Sequence, residues 1–238
     1  MVALGLRRKV SNRFRPGAET SLSERDQRVV WRIAALLLDY PTEQTLGMLD
    51  DLRAAAETVP GPAGTNLVSC VDFMQRTPRI ELSSLYVETF DLRRRSSLHL
   101  SYYAYGDTRN RGMALLRFKN AYRNGGVTLG DHELPDYLPV VLEFAATTDA
   151  ARGWRLLVEH RAVVEVLRLS LRDADSPFAP VLDALCATLP ELDTDDRQKV
   201  AKMAAEGPPE EAVGLDTYAL DPALNPQVDQ YPQMGERR

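Results

Sequence analysis

Apolar residues recur at intervals of three and four along most of this chain. After residues 21–24, whose sequence SLSE fits a capping box, Val29, Ile33 and Leu37 share one face of a helix that Pro41 ends. No stretch shows the sustained alternation with β-branched residues that is typical of a strand. The periodicity therefore predicts an all-α protein.

The same spacing predicts about nine helices in one compact bundle domain over residues 21–206. After the first helix, helical patterns cover residues 42–58, 67–77, 82–90, 108–124, 135–146, 149–172, 178–189 and 193–206. The fifth helix is expected to bury Met113 and Leu116, and more weakly Leu115, Phe118 and Tyr122. The long helix over residues 149–172 is apolar on more than one face, which places it centrally in the bundle.

The two ends of the chain differ from this domain in composition. Residues 1–20 are basic, whereas residues 207–238 are acidic and contain several prolines. Because neither end can bury much apolar surface, both are predicted to be disordered tails. The pair Arg7 and Arg8 resembles a twin-arginine export signal, but residues 11–17 lack the apolar stretch such a signal needs. No apolar run approaches the roughly 20 residues of a membrane span, so we expect a cytoplasmic protein.

Composition and motif content argue against several function classes. A formal net charge of −5 is unlike the basic surplus of nucleic-acid-binding proteins. His99, His132 and His160 lack zinc-like spacing, and His160 is placed on the solvated side of its helix. Cys70 and Cys186 lie in apolar helical patterns, which favours reduced core thiols and leaves a disulfide open. No metal, cofactor or catalytic residue is predicted.

Charged and aromatic side chains concentrate between residues 86 and 146. The run Arg93–Arg95, together with Arg109, suits binding of a carboxylate, a phosphate or an acidic protein face. It equally suits a solvated loop with weak local ion pairs. Tyr102 and its neighbouring tyrosines fit either a groove or core packing. A brief extended conformation is expected near residues 98–103.

Two carboxylates in this region stand two helical turns apart. Asp136 and Glu143 share one helix face, but neither a base nor a nucleophile accompanies them. Pro135 suits the first turn of a helix, and Asp136 suits the positive end of its dipole. The residues alone therefore predict a helical module that binds a partner through a charged, tyrosine-lined surface.

Three blocks within this region carry a family resemblance. They are residues 86–91 (YVETFD), 106–112 (GDTRNRG) and 133–139 (ELPDYLP). In this order and spacing they resemble the respiratory nitrate reductase assembly chaperones of the NarJ type, within the TorD-like redox-enzyme maturation proteins. The resemblance runs from about residue 30 to residue 205. In the wider family a histidine commonly follows the Pro-Asp element, whereas here Tyr137 takes that place.

The resemblance implies an all-helical fold and a non-enzymatic role. Such chaperones bind the catalytic subunit of a molybdoenzyme, partly through a segment at its N-terminus. They keep that subunit competent for insertion of the molybdopterin guanine dinucleotide cofactor, delay its attachment to the membrane, and are absent from the finished enzyme. A helical peptide in an apolar groove is a recognised way to achieve such binding.

We predict from these arguments which residues contact the partner. We assign apolar groove surface to Tyr86, Phe90, Tyr102 and Leu138. Polar contacts are assigned to Arg93, Arg109 and Asp136. Tyr137, the residue at which this chain departs from the wider family, is also expected to contact the partner. A monomer or weak dimer is expected. Two alternatives stay open, an enzyme or cofactor-binding protein that uses Arg93 and Arg109, and a helical scaffold or regulator without a cofactor link.

Overall fold

The computed structural model describes residues 22–106, 109–130 and 133–208, with the side chains of residues 109 and 110 left out. These residues form twelve α-helices and no strand, which confirms the all-α prediction. The helices are α1 (Glu24–Leu37), α2 (Glu43–Gly47), α3 (Leu49–Glu57), α4 (Pro62–Arg76), α5 (Arg79–Tyr86), α6 (Tyr102–Tyr105), α7 (Arg109–Asn124), α8 (Leu138–Thr147), α9 (Ala150–Glu159), α10 (Arg161–Asp173), α11 (Ala179–Cys186) and α12 (Thr194–Glu206). A π-helical turn (Val87–Asp91) follows α5, and a 3-10 turn (Arg94–Ser96) precedes α6.

Side-chain caps fix where several helices begin. The Ser23 hydroxyl accepts a hydrogen bond from the Asp26 backbone N–H at the start of α1. The cap is thus Ser23, and the prediction of a capping box over residues 21–24 that Ser21 opens was wrong by two residues. Asp149 and Asp193 act in the same way at the starts of α9 and α12. Because these bonds satisfy N–H groups that have no partner inside the helix, each cap contributes about 1 kcal/mol.

Two helices expected to be continuous are each divided in two. The one predicted over residues 42–58 breaks at Met48, between α2 and α3. The long one breaks at His160, whose φ of −108° and ψ of 20° leave the α region. There the His160 ring lies 2.8 Å from the Leu156 carbonyl and packs on Phe118, so its predicted solvated position was wrong. Burial lowers the pKa of His160. Apolar spacing continues through both breaks, which is why it did not reveal them.

Helix α1 lies at the centre of the core. It packs against α3, α4, α8 and α11. Its Trp31 is fully buried and donates its indole N–H to the Thr188 hydroxyl at 2.8 Å. Trp154 of α9 approaches the Thr188 carbonyl, so two distant tryptophans meet at one residue beyond α11. Cys70 is buried in α4 and is a free thiol, as is Cys186.

Helix α7 turns a different face inward from the one predicted. Met113 and Leu116 are 71% and 48% exposed, whereas Phe118 and Tyr122 are buried. The prediction for Met113 and Leu116 was therefore wrong, whereas the weaker prediction that Phe118 and Tyr122 are buried is confirmed. The buried face follows from the neighbours of α7, since Phe118 packs on His160 and Tyr122 packs on Phe144. Among the described helices, none combines the length and the apolar character that crossing a membrane needs.

Candidate functional site

A short backbone pairing joins the third of the sequence blocks to residues 98–100, which lie between the first and second blocks. The Leu100 N–H donates to the Asp136 carbonyl, and the Leu138 N–H donates to the Leu98 carbonyl, both at 2.9 Å. This isolated antiparallel bridge confirms a brief extension near residue 99, after which the chain turns into α6. The pairing holds Asp136 and the residue after it at the start of α8.

The carboxylate of Asp136 lies at the centre of a buried polar cluster. One oxygen accepts hydrogen bonds from the Ser101 hydroxyl at 2.5 Å and the Ser101 N–H at 3.2 Å. The Arg111 guanidinium donates to the same oxygen at 3.2 Å, and His99 Nδ1 lies 3.4 Å from the other oxygen. We call Asp136, Ser101, Arg111 and His99 the Asp136 cluster. Asp136 precedes α8 by two residues and Pro135 by three, so the prediction that Pro135 lies in the first turn of that helix was wrong.

The Asp136 cluster is electrostatically balanced. Burial by itself raises the pKa of Asp136, but the neighbouring His99 and Ser101 and the charge of Arg111 together lower it to about 2. The Asp136 side chain is fully buried and that of Arg111 is nearly so. The carboxylate is therefore ionised at neutral pH and engaged in structure. Arg111 also lies over the Tyr102 ring, 5.7 Å from its centroid.

Tyr137 connects this cluster to the first helix. Its hydroxyl donates to Asp39 at 3.1 Å and lies 2.8 Å from the Tyr86 hydroxyl. Tyr86 is buried, packs on Phe90 at 4.9 Å between ring centroids, and lies 3.1 Å from the Leu38 carbonyl. Burial raises the pKa of both phenols, so each stays protonated as a hydrogen-bond donor.

Two adjoining cavities flank Tyr137, and we call them together the Tyr137 groove. Their volumes are about 470 and 330 Å³. Apolar surface comes from the half-buried Tyr137 and Val140, and from Tyr40 and Leu134, which are 45% and 44% exposed. The residues shared by both cavities are Asp39, Glu133, Tyr137 and Val140.

The rim of the Tyr137 groove is acidic. Asp39, Asp91 and Glu133 line it, and the Glu143 carboxylate at its far end pairs with Arg32. Among the described residues that line the groove, Arg32 is the one fixed cation. An apolar floor with an excess of carboxylates favours a ligand that has apolar side chains and positive charge.

The structure distributes the predicted contact residues between core and surface. Tyr86, Phe90 and Leu138 are buried, Asp136 is the centre of its cluster, and the half-buried Tyr102 is hydrogen-bonded to Arg94. Only Tyr137 lies in the groove with exposed surface, while Arg93 is exposed beside another cavity. The side chain of Arg109 lies outside the described residues, as does His132.

Sequence reasoning missed several groove residues. Asp39 and Tyr40 follow α1, and no role was predicted for either of them. In the structure both line the groove, and Tyr40 is exposed there. His99 was considered for metal binding alone. Leu134 belongs to the third sequence block, but no role was predicted for it. An apolar side chain close to acidic residues in the sequence was the feature that could have indicated a place in the groove.

The fold and the groove define a class of protein, an all-helical binding protein with an acidic, apolar-floored groove. The buried Asp136 supports the groove from behind through the chain that runs into Tyr137. A comparison with known families agrees with this class. The chain matches the family described as nitrate reductase delta subunit over residues 57–184, and it belongs to that family. The resemblance carried by the three sequence blocks is thereby confirmed.

Individual relatives show how far the similarity extends. The chain is 42% identical over 160 residues to "Nitrate reductase-like protein NarX" of Mycobacterium tuberculosis, covering 67% of this chain and 24% of that protein. It is 30% identical over 169 residues to the probable nitrate reductase molybdenum cofactor assembly chaperone NarJ of Bacillus subtilis, covering 69% and 90%. The NarJ chaperone of Escherichia coli K12 is 26% identical over 183 residues, covering 75% and 78%. The chain thus spans about a quarter of the mycobacterial relative and most of the two chaperones.

Proposed function

We propose that this chain is a system-specific, non-enzymatic chaperone for a nitrate reductase. It binds the catalytic (alpha) subunit in the cytoplasm, including the N-terminal segment of that subunit, and permits molybdenum cofactor insertion before membrane attachment. It is not part of the final enzyme, and it holds no cofactor of its own. The names of the Bacillus and Escherichia relatives support the chaperone role.

The Tyr137 groove is the observation that carries this proposal. A segment that displays apolar side chains on one helix face fits Tyr40, Leu134 and Val140, because such anchors recur every three or four residues. The carboxylates of Asp39 and Glu133 complement basic residues beside those anchors. The client segment is therefore expected to be amphipathic and basic. Binding is moderate, since a chaperone releases its client after cofactor insertion.

The exposed groove residues give the sharpest test. Isothermal calorimetry with a peptide from the N-terminus of the organism's nitrate reductase catalytic subunit should show binding to the wild-type chain. Glu133→Lys combined with Leu134→Ser should raise the Kd about tenfold or more, a loss of about 1.4 kcal/mol. Both side chains are exposed, so the variant should fold normally.

A matched control lies on α5. Ile80 and Glu81 are another exposed apolar–acidic pair and line neither cavity of the groove. Ile80→Ser combined with Glu81→Lys makes the same chemical change and should leave the Kd unchanged. Equal binding by both variants would exclude the Tyr137 groove as the client site. Phe90 and Asp136 are less suitable targets because both are buried, so replacing them also perturbs folding.

The cellular role has a separate test. In cells that lack this chain, the nitrate reductase catalytic subunit should accumulate without its molybdenum cofactor, as measured by metal analysis of the purified subunit. Full metal content in such cells would refute the proposed role. Restoration by the wild-type chain, but not by the Glu133→Lys and Leu134→Ser variant, would connect the groove to cofactor insertion.

A further inference from the structure

A larger cavity, which we call the arginine cavity, lies apart from the Tyr137 groove. It has a volume of about 740 Å³ and is enclosed by the 3-10 turn, α10 and α12. Its floor is apolar, formed by the buried Tyr103 and Val166 and the half-buried Leu169 and Met203. Apolar surface in an open cavity is unfavourable in water, which favours coverage of this floor by apolar side chains.

The rim of the arginine cavity is basic. Arg93, Arg94 and Arg95 follow one another along it, and Asp173 is the single acid among its described lining residues. The Arg93 side chain is exposed and makes no hydrogen bond or ion pair with the part of the chain that the structure describes. Arg95 donates to the Ala204 carbonyl at 2.9 Å, which binds it to the last turn of α12, and no carboxylate within residues 22–106, 109–130 and 133–208 pairs with its charge. This rim therefore complements an acidic ligand.

The chain itself runs into this cavity where α12 ends. Gly207 adopts a φ of 72°, in the region that favours glycine, and its N–H caps α12 by donating to the Met203 carbonyl at 2.8 Å. The turn brings Gly207 against the Arg95 guanidinium, since an added Cβ would lie 3.7 Å from Nε of Arg95. Pro208, the next residue, is buried and lines the cavity.

The sequence that follows Pro208 has the composition the cavity requires. Residues 210–220 read EEAVGLDTYAL, with an acidic pair first and apolar residues after it. An extended chain advances about 3.3 Å per residue, so the two residues from Pro208 to Glu210 span at most roughly 7 Å. That length is enough for Glu210 to reach the rim of the cavity that Pro208 lines, and the chain up to Val213 and Leu215 is long enough to reach its floor.

We propose that residues 210–220 dock into the arginine cavity as an intramolecular strap. Glu210 and Glu211 pair with Arg93 and Arg95, and the apolar residues after them cover the floor. The strap places Arg93 out of reach of any other acidic partner while it is docked. This inference does not depend on the client or on the Tyr137 groove.

Photo-crosslinking in the full-length chain tests the contact directly. With p-benzoylphenylalanine in place of Leu215, crosslinks should form within one molecule and map to the walls of the arginine cavity, at residues 93–96, 166–174 or 203–208. Crosslinks that form mainly elsewhere in the chain would overturn the proposal. Crosslinks formed mainly between molecules would place a second copy in the cavity and overturn it as well.

Limited proteolysis of the full-length chain tests the charge pairing. Glu210→Lys with Glu211→Lys should speed chymotryptic cleavage after Tyr218 about fivefold, which corresponds to the loss of two exposed ion pairs. Asp229→Lys with Glu236→Lys changes the net charge equally but lies beyond the strap, and it should leave the rate unchanged. Arg93→Glu alone should also speed cleavage, whereas Arg93→Glu added to the first variant should restore protection. Equal rates for the first variant and the control would overturn the pairing.

Discussion

At the scale of single residues, Asp136 shows how position changes the role of a side chain. In the sequence it resembles a carboxylate at a helix terminus, whose value is about 0.3–1 kcal/mol. In the structure it is fully buried and accepts hydrogen bonds from Ser101 and Arg111, with His99 beside it. Its effect is consequently structural, because a buried charge without its partners costs several kcal/mol.

Replacing Asp136 should therefore be strongly destabilising. Asp136→Asn should lower the free energy of unfolding by about 3–5 kcal/mol at pH 7, because the buried donors of Ser101 and Arg111 would lose their charged acceptor. Urea unfolding followed by circular dichroism measures this loss. Asp51→Asn changes an exposed aspartate of α3 and should shift stability by less than about 0.5 kcal/mol. A similar small shift for Asp136→Asn would contradict the structural role of the cluster.

The lowered pKa of Asp136 predicts that the stability of the protein depends on pH. Its pKa falls from 3.8 to about 2 on folding, so the stability it contributes is present above pH 3.8 and is lost as the pH falls toward 2. The difference between these two pKa values corresponds to about 2 kcal/mol of folding free energy. The stability difference between wild type and Asp136→Asn should narrow by that amount over this range. A constant difference between pH 5 and pH 2 would contradict the lowered pKa.

At the scale of elements, close approach of helices depends on glycines that the apolar pattern does not reveal. Gly153 lies where α9 crosses α8, and a Cβ there would lie 2.4 Å from the Cα of Ala145. Since backbone atoms cannot move aside as a flexible side chain can, this contact requires a residue without a side chain. The crossing positions α8, and with it Tyr137 at the N-terminal end of that helix.

Adding a methyl group at each of two glycines distinguishes the effect of helix packing on stability from the effect of helix propensity. Gly153→Ala should destabilise the protein by about 1–3 kcal/mol through overpacking. Gly47→Ala places the same methyl group in α2 with no atom within 4 Å, and should be neutral or stabilising by up to about 1 kcal/mol. Thermal unfolding of both variants measures the contrast. Equal effects would show that α8 and α9 accommodate the methyl group by moving apart.

At the scale of the whole molecule, the two tryptophans join its distant parts. Trp31 lies in α1 and Trp154 in α9, yet both indoles approach Thr188 after α11. Helices from the beginning, middle and end of the described chain thus share one hydrophobic core, and α1 lies within it. A shared core of this kind unfolds as a unit in small proteins.

Unfolding of the whole chain should accordingly be a single transition. Tryptophan fluorescence should report the same midpoint in urea as helix content measured by circular dichroism at 222 nm, because both indoles are buried in the shared core. Two separated midpoints would instead divide residues 21–206 into independently unfolding units. The matched control is Trp31→Phe, which leaves Trp154 as reporter and should give the same coincidence at a lower stability.

What the sequence determined by itself is local. The helix starts at Asp149 and Asp193 and the all-α class follow from side chains and spacings within a few residues. The start of α1 was predicted two residues too early, at Ser21 instead of Ser23. Three ordered blocks were enough to indicate the family. The break at His160 and the inward face of α7 involve packing neighbours that lie far apart in the chain, since Phe118 packs on His160. The break at Met48 has no signal in the apolar spacing.

The site was decided almost entirely by tertiary structure. Asp39 and Tyr137 are 98 residues apart in sequence, and Ser101 and Asp136 are 35 apart, yet hydrogen bonds join each pair. Hydrophobic spacing indicates a buried face for a helix, although it indicated the wrong one for α7, and it does not indicate which residues that face contacts. The groove and its buried support exist only because the packing of α1, α8 and the connector before α6 brings these groups within bonding distance.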